Sequence, residues 1–176
     1  MQILGANELK LANFTPAVIL KLEKMGIRLK INPEDRTVEF EADDPYTELR
    51  ARDFFVALSF MPRKEVRKAF RIFSEDCMLK VVDLSDFVGD EKKDQRRVMA
   101  RIIGAGGKTK IIMEEITETN ISVLGHKICI IGTLEGVELA SAAIEALIRG
   151  APHKKVYRLL ESGRRRVKEE KMRLWK

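Results

Sequence analysis

Three glycines, Gly104, Gly106 and Gly107, lie within four consecutive residues, and two lysines, Lys108 and Lys110, follow them. Because glycine has no Cβ, a flat or anionic group can approach the backbone of such a loop closely. A helix is predicted to begin directly after the glycines, so its free N–H groups and the positive end of its dipole face the same place. This combination of residues is suited to binding a phosphate.

A nucleotide phosphate is the first candidate, but the spacing of the residues argues against it. A P-loop needs a glycine five positions before the glycine of Gly-Lys-Thr, and that position is Ile102. A dinucleotide-binding loop starting at Gly104 needs a small residue where Thr109 stands, inside a parallel βαβ unit that the pattern does not show. The sequence therefore disfavours both kinds of nucleotide site.

The hydrophobic pattern around the loop predicts alternating strands and helices. The segments are, in order, a strand at 79–84, a short basic helix at 94–103, the glycine loop, a helix at 109–119, strands at 121–123 and 128–131, and a helix at 134–149. The unit therefore runs strand, helix, glycine loop, helix, strand, strand, helix.

The same order occurs once before in the chain, without the glycines. A helix opens at Pro16 with Thr15 as its N-cap, a hairpin covers 27–41, and a second helix opens at Pro45. The second helix is predicted to be capped by Asp43-Asp44 and to have an apolar face that includes Leu49, Phe54, Val56 and Leu58. When the two copies are aligned with a shift of 94 residues, residues 10–13 fall on the glycine loop. The first copy is thus predicted to keep the architecture and to lack the phosphate-binding loop.

We therefore predict an α/β (α+β) protein with two units, each a three-stranded sheet backed by helices, packed into one pseudo-symmetric body. The predicted boundaries are 1–60 for the first unit, 61–76 for a linker helix, 77–152 for the second unit and 153–176 for the C-terminal segment. In that last segment we expect a short helix at 156–160 and a charged tail from Gly163 onward.

A glycine loop between two short helices, flanked by three strands, is the arrangement of a type I KH domain. There the loop holds the backbone of about four nucleotides of single-stranded nucleic acid, and the bases lie in a groove beside it. The glycines and Ala105 are expected to admit the backbone. The other expected contacts are phosphate-neutralising Arg101, Lys108 and Lys110, and groove-lining Ile103, Ile111, Ile121 and Ser122. The alternative is a plain corner between two helices.

The positive charge of the chain is concentrated at its C-terminal end. Of a net charge of +6, residues 154–176 carry ten Lys/Arg and three Asp/Glu, whereas the rest of the chain carries 23 and 24. Such asymmetry suggests an anionic partner, with nucleic acid as the first candidate. We therefore add Arg164, Arg165 and Arg166 to the expected RNA contacts, with a merely solvated tail as the alternative.

Composition and spacing disfavour several other classes of protein. The apolar runs are far shorter than the roughly 20 residues of a membrane span, and no signal-peptide pattern opens the chain. Cys77 and Cys129 are interpreted as buried thiols of a cytoplasmic protein, not as a disulfide. No Cys/His spacing predicts a metal site, no catalytic set of side chains stands out, and His126 is interpreted as an exposed turn residue. We expect no cofactor and no enzymatic activity.

Three segments carry a more specific resemblance: Gly104-Ala105-Gly106-Gly107-Lys108-Thr109, Ile121-Ser122-Val123, and Arg149-Gly150-Ala151-Pro152-His153 followed by Val156-Tyr157-Arg158. With them the sequence resembles the archaeal two-KH-domain ribosomal RNA-processing proteins, relatives of the eukaryotic "partner of Nob" factor. The resemblance implies binding of single-stranded ribosomal RNA near the 3′ end of the small-subunit RNA. It also implies work with an rRNA-processing endonuclease and with the alpha subunit of initiation factor two.

Two points in the sequence differ from the plain family picture. Ala105 and Gly106 stand where the family usually has a bulky charged pair, and the first copy has no glycine loop. A protein–protein adaptor that links an assembly or initiation factor to the ribosome, with RNA contact secondary, therefore stays open as the alternative function.

Overall fold

The computed structural model describes residues 2–4, 11–34, 37–74 and 76–174. The chain divides into two compact units, Met1–Glu75 and Asp76–Lys176. Residues 61–74 group with the first unit and residues 153–174 with the second, so the two compact units account for every described residue.

The first unit has one three-stranded sheet and two main helices. Its elements are β1 Gln2–Leu4, a 3-10 turn Leu11–Asn13, α1 Pro16–Glu23, β2 Ile27–Asn32, β3 Thr37–Ala42, α2 Pro45–Phe60 and α3 Val66–Ala69. The strands are antiparallel in the order β1-β3-β2, with Leu29 opposite Phe40. The segment at 63–73, predicted as one helix, is instead a 3-10 turn, the short helix α3 and a second 3-10 turn.

The second unit repeats this plan and adds a long C-terminal helix. Its elements are β4 Cys77–Asp83, α4 Ser85–Val88, α5 Lys92–Ile103, a 3-10 turn Ala105–Gly107, α6 Lys108–Thr117, β5 Asn120–Leu124, β6 Lys127–Thr133, α7 Leu134–Ile148 and α8 His153–Leu174. The strands are antiparallel in the order β4-β6-β5. The predicted fold class is confirmed, because both sheets have three strands in the same order and helices between them.

The core of the second unit lies between its sheet and its helices. One face of the sheet contributes Ile121, Ile128 and Ile130, which are fully or almost fully buried. Buried side chains from all four long helices pack in the same cluster: Ile102, Met113, Ile144, Leu147 and Leu160. Burying one side chain of this size contributes about 1.5–3 kcal/mol. This packing fixes the directions of α5 and α6, and the glycine loop lies between them.

Side chains cap the helices at the positions that the sequence predicts. The hydroxyl of Thr15 accepts a hydrogen bond from the Val18 amide at 3.4 Å, and the carboxylate of Asp44 accepts one from the Thr47 amide at 2.9 Å. Hydrogen bonds from Thr47 hold the pKa of Asp44 below its ordinary value, because they stabilise the charged carboxylate. Both predicted N-caps are confirmed.

The apolar face of α2 differs from the predicted one. Phe54 and Leu58 are fully buried, as expected, but Leu49 is 56% exposed. At about 100° per residue, Leu49 lies on the opposite side of the helix from Leu58. Its inclusion in the core was therefore an error in the predicted phase of the helix.

The C-terminal segment is one helix of 22 residues, so the predicted short helix at 156–160 and the charged tail from Gly163 are wrong. Gly163 does not stop the helix. A Cβ at this position would overlap the Leu139 side chain on α7, so the glycine lets the two helices approach closely. No helix in the described ranges, α8 included, combines the length and hydrophobicity that a membrane span requires.

Buried side chains fix the segment before α1 to helix α2. The Nδ2 group of Asn13 donates hydrogen bonds to the carbonyl oxygens of Leu58 and Met61, at 2.9 and 3.0 Å, near the end of α2. Asn13 is 2% exposed, and the next residue, Phe14, stacks on Phe55 with 5.9 Å between ring centroids. This segment is therefore part of the core of the first unit.

The structure supports the predicted alignment of the two copies. The 3-10 turns Leu11–Asn13 and Ala105–Gly107 coincide at the shift of 94 residues, and so do the buried strand residues Ile27 and Ile121. Asn13 therefore holds the place of Gly107, and Lys10 lies outside the described residues. The prediction that the first copy has no glycine here is unaffected.

Replacing Asn13 by alanine is expected to lower the free energy of unfolding by about 1–3 kcal/mol, because two buried carbonyl oxygens lose their donor. Asn13→Asp is expected to lose at least as much, since an ionised carboxylate cannot donate. Urea unfolding followed by circular dichroism measures both variants. Stability equal to that of the wild type in Asn13→Ala would show that these hydrogen bonds do not hold the segment.

Candidate nucleic-acid interface

The loop between α5 and α6 is a turn built from left-handed glycines. Gly104, Gly106 and Gly107 have φ angles of 76°, 59° and 80°. Side chains with a Cβ rarely adopt such angles, so the three glycines are needed for the backbone path itself. The turn covers four residues and ends where α6 begins at Lys108.

The three glycines have different surroundings. A Cβ on Gly104 would overlap the side chain of Thr109 and would lie 2.8 Å from the Thr109 backbone nitrogen. No atom lies within 4 Å of a Cβ built on Gly106 or on Gly107. Gly104 is thus packed against the protein, whereas Gly106 and Gly107 leave the outer side of the turn open. The open side lies at the N-terminus of α6, where the first N–H groups have no acceptor within the helix.

Of the three cations predicted to neutralise phosphates, two are engaged inside the unit. The guanidinium of Arg101 donates hydrogen bonds to the carbonyl oxygens of Leu147 and Ala151, at 3.1 and 2.7 Å, where α7 ends. Lys110 pairs with Glu114 at 3.0 Å. Lys108 is exposed and forms no ion pair with any residue that the structure describes. It is the cation best placed to meet a phosphate at the loop.

The first turn of α8 contacts the last turn of α5 and the first turn of α6. His153 Nε2 lies 3.0 Å from the Arg101 carbonyl oxygen. The hydroxyl of Tyr157 lies 3.1 Å from the hydroxyl of Thr109, the residue on which Gly104 packs. The two helices that flank the glycine turn are therefore held to the same short stretch of α8.

A groove of about 490 Å³ lies between α5 and the turn that joins β5 to β6. Its lining combines apolar and basic side chains: Lys92, Gln95, Arg96, Met99, Ala100, Ile103, Gly125 and His126. The α5 residues among them are spaced three or four apart and form one face of the helix. The groove leads along α5 toward the glycine turn, which begins directly after Ile103.

The structure supports some of the predicted groove residues and not others. Ile103 lines the groove and Ile111 is 48% exposed on α6. Ile121, however, is 1% exposed in the core, so its prediction as a groove residue is wrong. Ser122 is 6% exposed and does not line the groove either, so its prediction as a groove residue is also not supported. Because side chains alternate along β5, Ile121 faces the helices in the core and Ser122 faces the other side of the sheet.

Sequence reasoning missed the α5 side of the groove. Counting back from Ile103 in steps of three and four gives Ala100, Met99 and Arg96, so the helical period was the available signal. His126, interpreted as an exposed turn residue, is indeed in the turn and 45% exposed, but it also borders the groove. Only the folded hairpin brings it there.

His126 is accompanied by a carboxylate at the end of β4. Its Nε2 lies 3.5 Å from Oδ1 of Asp83. The hydroxyl of Ser85 donates to the same oxygen, and this hydrogen bond is the main reason why the pKa of Asp83 lies below its ordinary value. The rim of the groove therefore holds a carboxylate that stays ionised beside the imidazole.

The three arginines predicted to contact RNA in the C-terminal segment lie on different sides of α8. Arg164 donates to Glu118 at 3.3 Å and to the Glu115 carbonyl oxygen at 3.5 Å, at the end of α6. Arg165 is exposed. Arg166 lines a groove between α7 and α8. Arg165 and Arg166 are both exposed, and of the three arginines only Arg164 is paired with a carboxylate of the described residues.

Comparison with known proteins identifies the arrangement. A family model for the second KH domain of PNO1, described as a eukaryotic type KH domain (KH-domain type I), matches residues 78–165. A KH domain-containing protein of Methanocaldococcus jannaschii is 32% identical over 157 residues, which make up 88% of this chain and 68% of that protein. The chain belongs to the PNO1 family of KH-domain proteins. The predicted family resemblance is thereby confirmed.

One further relative and one solved structure are similar to most of the chain. RNA-binding protein pno1 of Drosophila pseudoobscura pseudoobscura is 33% identical over 161 residues, 89% of this chain and 65% of that protein. The a/eIF2alpha-aDim2p-rRNA complex of Pyrococcus horikoshii contains a chain 28% identical, with a TM-score of 0.79 and 93% of each chain covered. The present chain thus spans about two thirds of the length of the curated relatives and nearly all of the solved one.

Two glycine-to-alanine variants test how tightly the turn constrains each glycine. Gly106→Ala is expected to lower the free energy of unfolding by about 1–2 kcal/mol, the cost of a left-handed residue with a Cβ. Gly104 has φ 76° and ψ 173°, a conformation that glycine adopts almost alone, and a Cβ there also displaces Thr109, so the loss in Gly104→Ala is expected to be clearly larger. Thermal and urea unfolding of both variants give the comparison. Equal losses would mean that neither the extended ψ of Gly104 nor its contact with Thr109 constrains the turn.

Proposed function

We propose that this PNO1-family protein binds single-stranded ribosomal RNA, or its precursor, near the 3′ end of the small-subunit RNA. It does so through its second KH domain, residues 77–152, as a non-catalytic factor of small-subunit biogenesis in the cytoplasm. The observation that carries the proposal is the glycine turn, open on its outer side at the start of α6. The RNA-binding relative and the rRNA-containing complex of its structural relative support it.

The proposed contact begins at the backbone of the turn. The sugar–phosphate chain lies against Gly106 and Gly107, where no protein atom blocks its approach. The positive end of the α6 dipole and the exposed charge of Lys108 stabilise the phosphates there. Ala105 and Gly106 are small, so at this turn the affinity comes from backbone groups and not from long side chains.

The bases then occupy the groove along α5. Met99, Ala100 and Ile103 supply apolar surface, and Lys92 and Arg96 supply charge at its edge. His126 on the opposite side adds an aromatic ring on which a base can stack. This arrangement fits about four nucleotides, the usual length held by a KH domain.

Several residues that were expected to contact RNA instead hold the elements around the glycine turn in place in this proposal. Arg101 holds the end of α5 to α7, and Lys110 joins Glu114, whose second oxygen accepts the Ile121 amide at 2.8 Å. Arg164 holds α8 to the end of α6. These charges position the elements of the interface, and Lys108, Ile103 and Ile111 remain as direct contacts.

A protein adaptor function is the second candidate, and the first unit favours it. Its loop is closed by Asn13, and it exposes the large apolar side chains Leu20, Tyr46 and Leu49 by 54%, 52% and 56%. The structural relative from Pyrococcus horikoshii occurs in a complex with a/eIF2alpha. We propose this alpha subunit, and the endonuclease of rRNA processing, as partners of the first unit.

The two functions are separated by a pulldown of the tagged full chain with purified initiation factor two alpha subunit, with and without nuclease and added ribosomal RNA. Capture that survives nuclease supports direct adaptor contact. Capture that needs intact RNA leaves RNA binding as the only function. Leu49→Asp is expected to reduce nuclease-resistant capture at least about tenfold, because it places a charge in an apolar contact.

Two aspartates in the turn are expected to weaken RNA binding by the second unit. Ala105→Asp/Gly106→Asp places two negative charges where the phosphates bind, so the Kd for single-stranded RNA is expected to rise by about tenfold or more. The matched control, Ala12→Asp/Ala17→Asp, adds the same charge around the corresponding turn of the first unit, where both alanines are exposed. Fluorescence anisotropy at fixed salt measures binding. Unchanged affinity in the folded loop variant would refute the proposed site.

A further inference from the structure

The outer surface of α8 carries a line of basic residues that the KH interface does not use. Lys154, Arg158, Arg165 and Lys168, which we call the α8 stripe, are separated by four, seven and three residues and so share one face of the helix. All four are exposed, and none forms an ion pair within the described part of the chain. Glu161 is the one acidic residue in the sequence between them.

The α8 stripe starts beside the glycine turn. Lys154 directly follows His153, which contacts the end of α5. Arg158 directly follows Tyr157, which contacts the start of α6. Farther along, Arg164 holds α8 to the end of α6 through Glu118. The helix therefore follows α6 along its length, and at 1.5 Å per residue the stripe is about 21 Å long.

The outer face of α8 and its edge toward α7 differ in their electrostatic surroundings. Lys155 and Arg166, on the edge toward α7, lie in grooves that also contain acidic side chains: Glu135, Glu138, Glu145 and Glu170. The stripe, on the outer face, lines neither of these grooves and has one exposed carboxylate on its own face, Glu161. Of the two sets of basic residues, the stripe is therefore the one that lies outside the acidic grooves and starts next to the glycine turn.

We propose that the α8 stripe binds the phosphates of the RNA strand where that strand leaves the KH groove, so that the footprint is longer than four nucleotides. The inference rests on the proposed RNA-binding function and extends its site. Lysine and arginine side chains on an open helix surface read charge and not base identity. The stripe therefore adds affinity that depends on RNA length and on salt, and adds no sequence preference.

A pair of double variants tests this inference in the full chain. Arg158→Gln/Arg165→Gln removes two charges from the stripe, and Lys155→Gln/Arg166→Gln removes two from the edge of the same helix toward α7. The probes are a six-nucleotide RNA ending at the small-subunit 3′ end sequence and the same RNA extended by ten nucleotides at either end. The Kd of each is measured by anisotropy from 50 to 200 mM salt, with helix content checked by circular dichroism.

The wild type is expected to bind an extended RNA more tightly than the short one, and the stripe variant is expected to lose most of that gain. Two fewer phosphate contacts lower the salt slope by about 1.4, so the change in Kd between 50 and 200 mM salt shrinks about sevenfold. Short-RNA binding by the stripe variant and all binding by the control variant are expected to stay within about twofold of the wild type.

Equal effects of the two double variants would overturn the inference, because general charge and not the stripe would then supply the affinity. A wild type that binds short and extended RNA equally would overturn it as well, while leaving the KH contact intact. Failure of the wild type to bind even the short RNA would instead refute the proposed function. The two failures are therefore distinguishable in one experiment.

Discussion

The geometry of the interface depends on hydrogen bonds between the start of α8 and the two helices that flank the glycine turn. Three left-handed glycines define a path but resist no distortion, because each is free to adopt many other conformations. The turn keeps its shape because its ends are fixed: His153 meets the Arg101 carbonyl, and Tyr157 meets Thr109. Removing α8 would leave the glycines in place and their arrangement undefined.

Arg101 shows how this constraint reaches further into the unit. Its guanidinium spans the gap from α5 to the end of α7, and its carbonyl contacts α8. One residue thus joins three helices at the base of the turn. The segment at 149–158, which carries much of the family resemblance in sequence, supplies the other partners of this junction. These residues hold the glycine turn in position.

Local sequence signals predicted much of the fold. The caps at Thr15 and Asp44, the two hairpins and the helix that follows the glycines all depend on residues within a few positions of one another. The repeat of the whole pattern then gave the second unit its KH order. Because these signals are local, they depend little on contacts between residues far apart in the chain.

The errors concern contacts between residues far apart in the chain. Glycine often ends a helix, so the sequence predicted a stop at Gly163. In the structure Gly163 instead packs against the Leu139 side chain within a long helix. Arg101 and Arg164 have the charge of phosphate ligands, but carbonyl and carboxylate oxygens some 46 to 50 residues away engage them. The groove was incomplete for the same reason, since His126 reaches it only through the hairpin.

The closed loop of the first unit has a consequence for the history of the duplication. In the first copy the place of Gly107 is taken by Asn13, which holds the end of α2. Restoring a glycine at position 13 would remove these hydrogen bonds, so this step toward a glycine turn would lower the stability of the first unit. Selection can therefore refine the difference between the two copies more readily than reverse it.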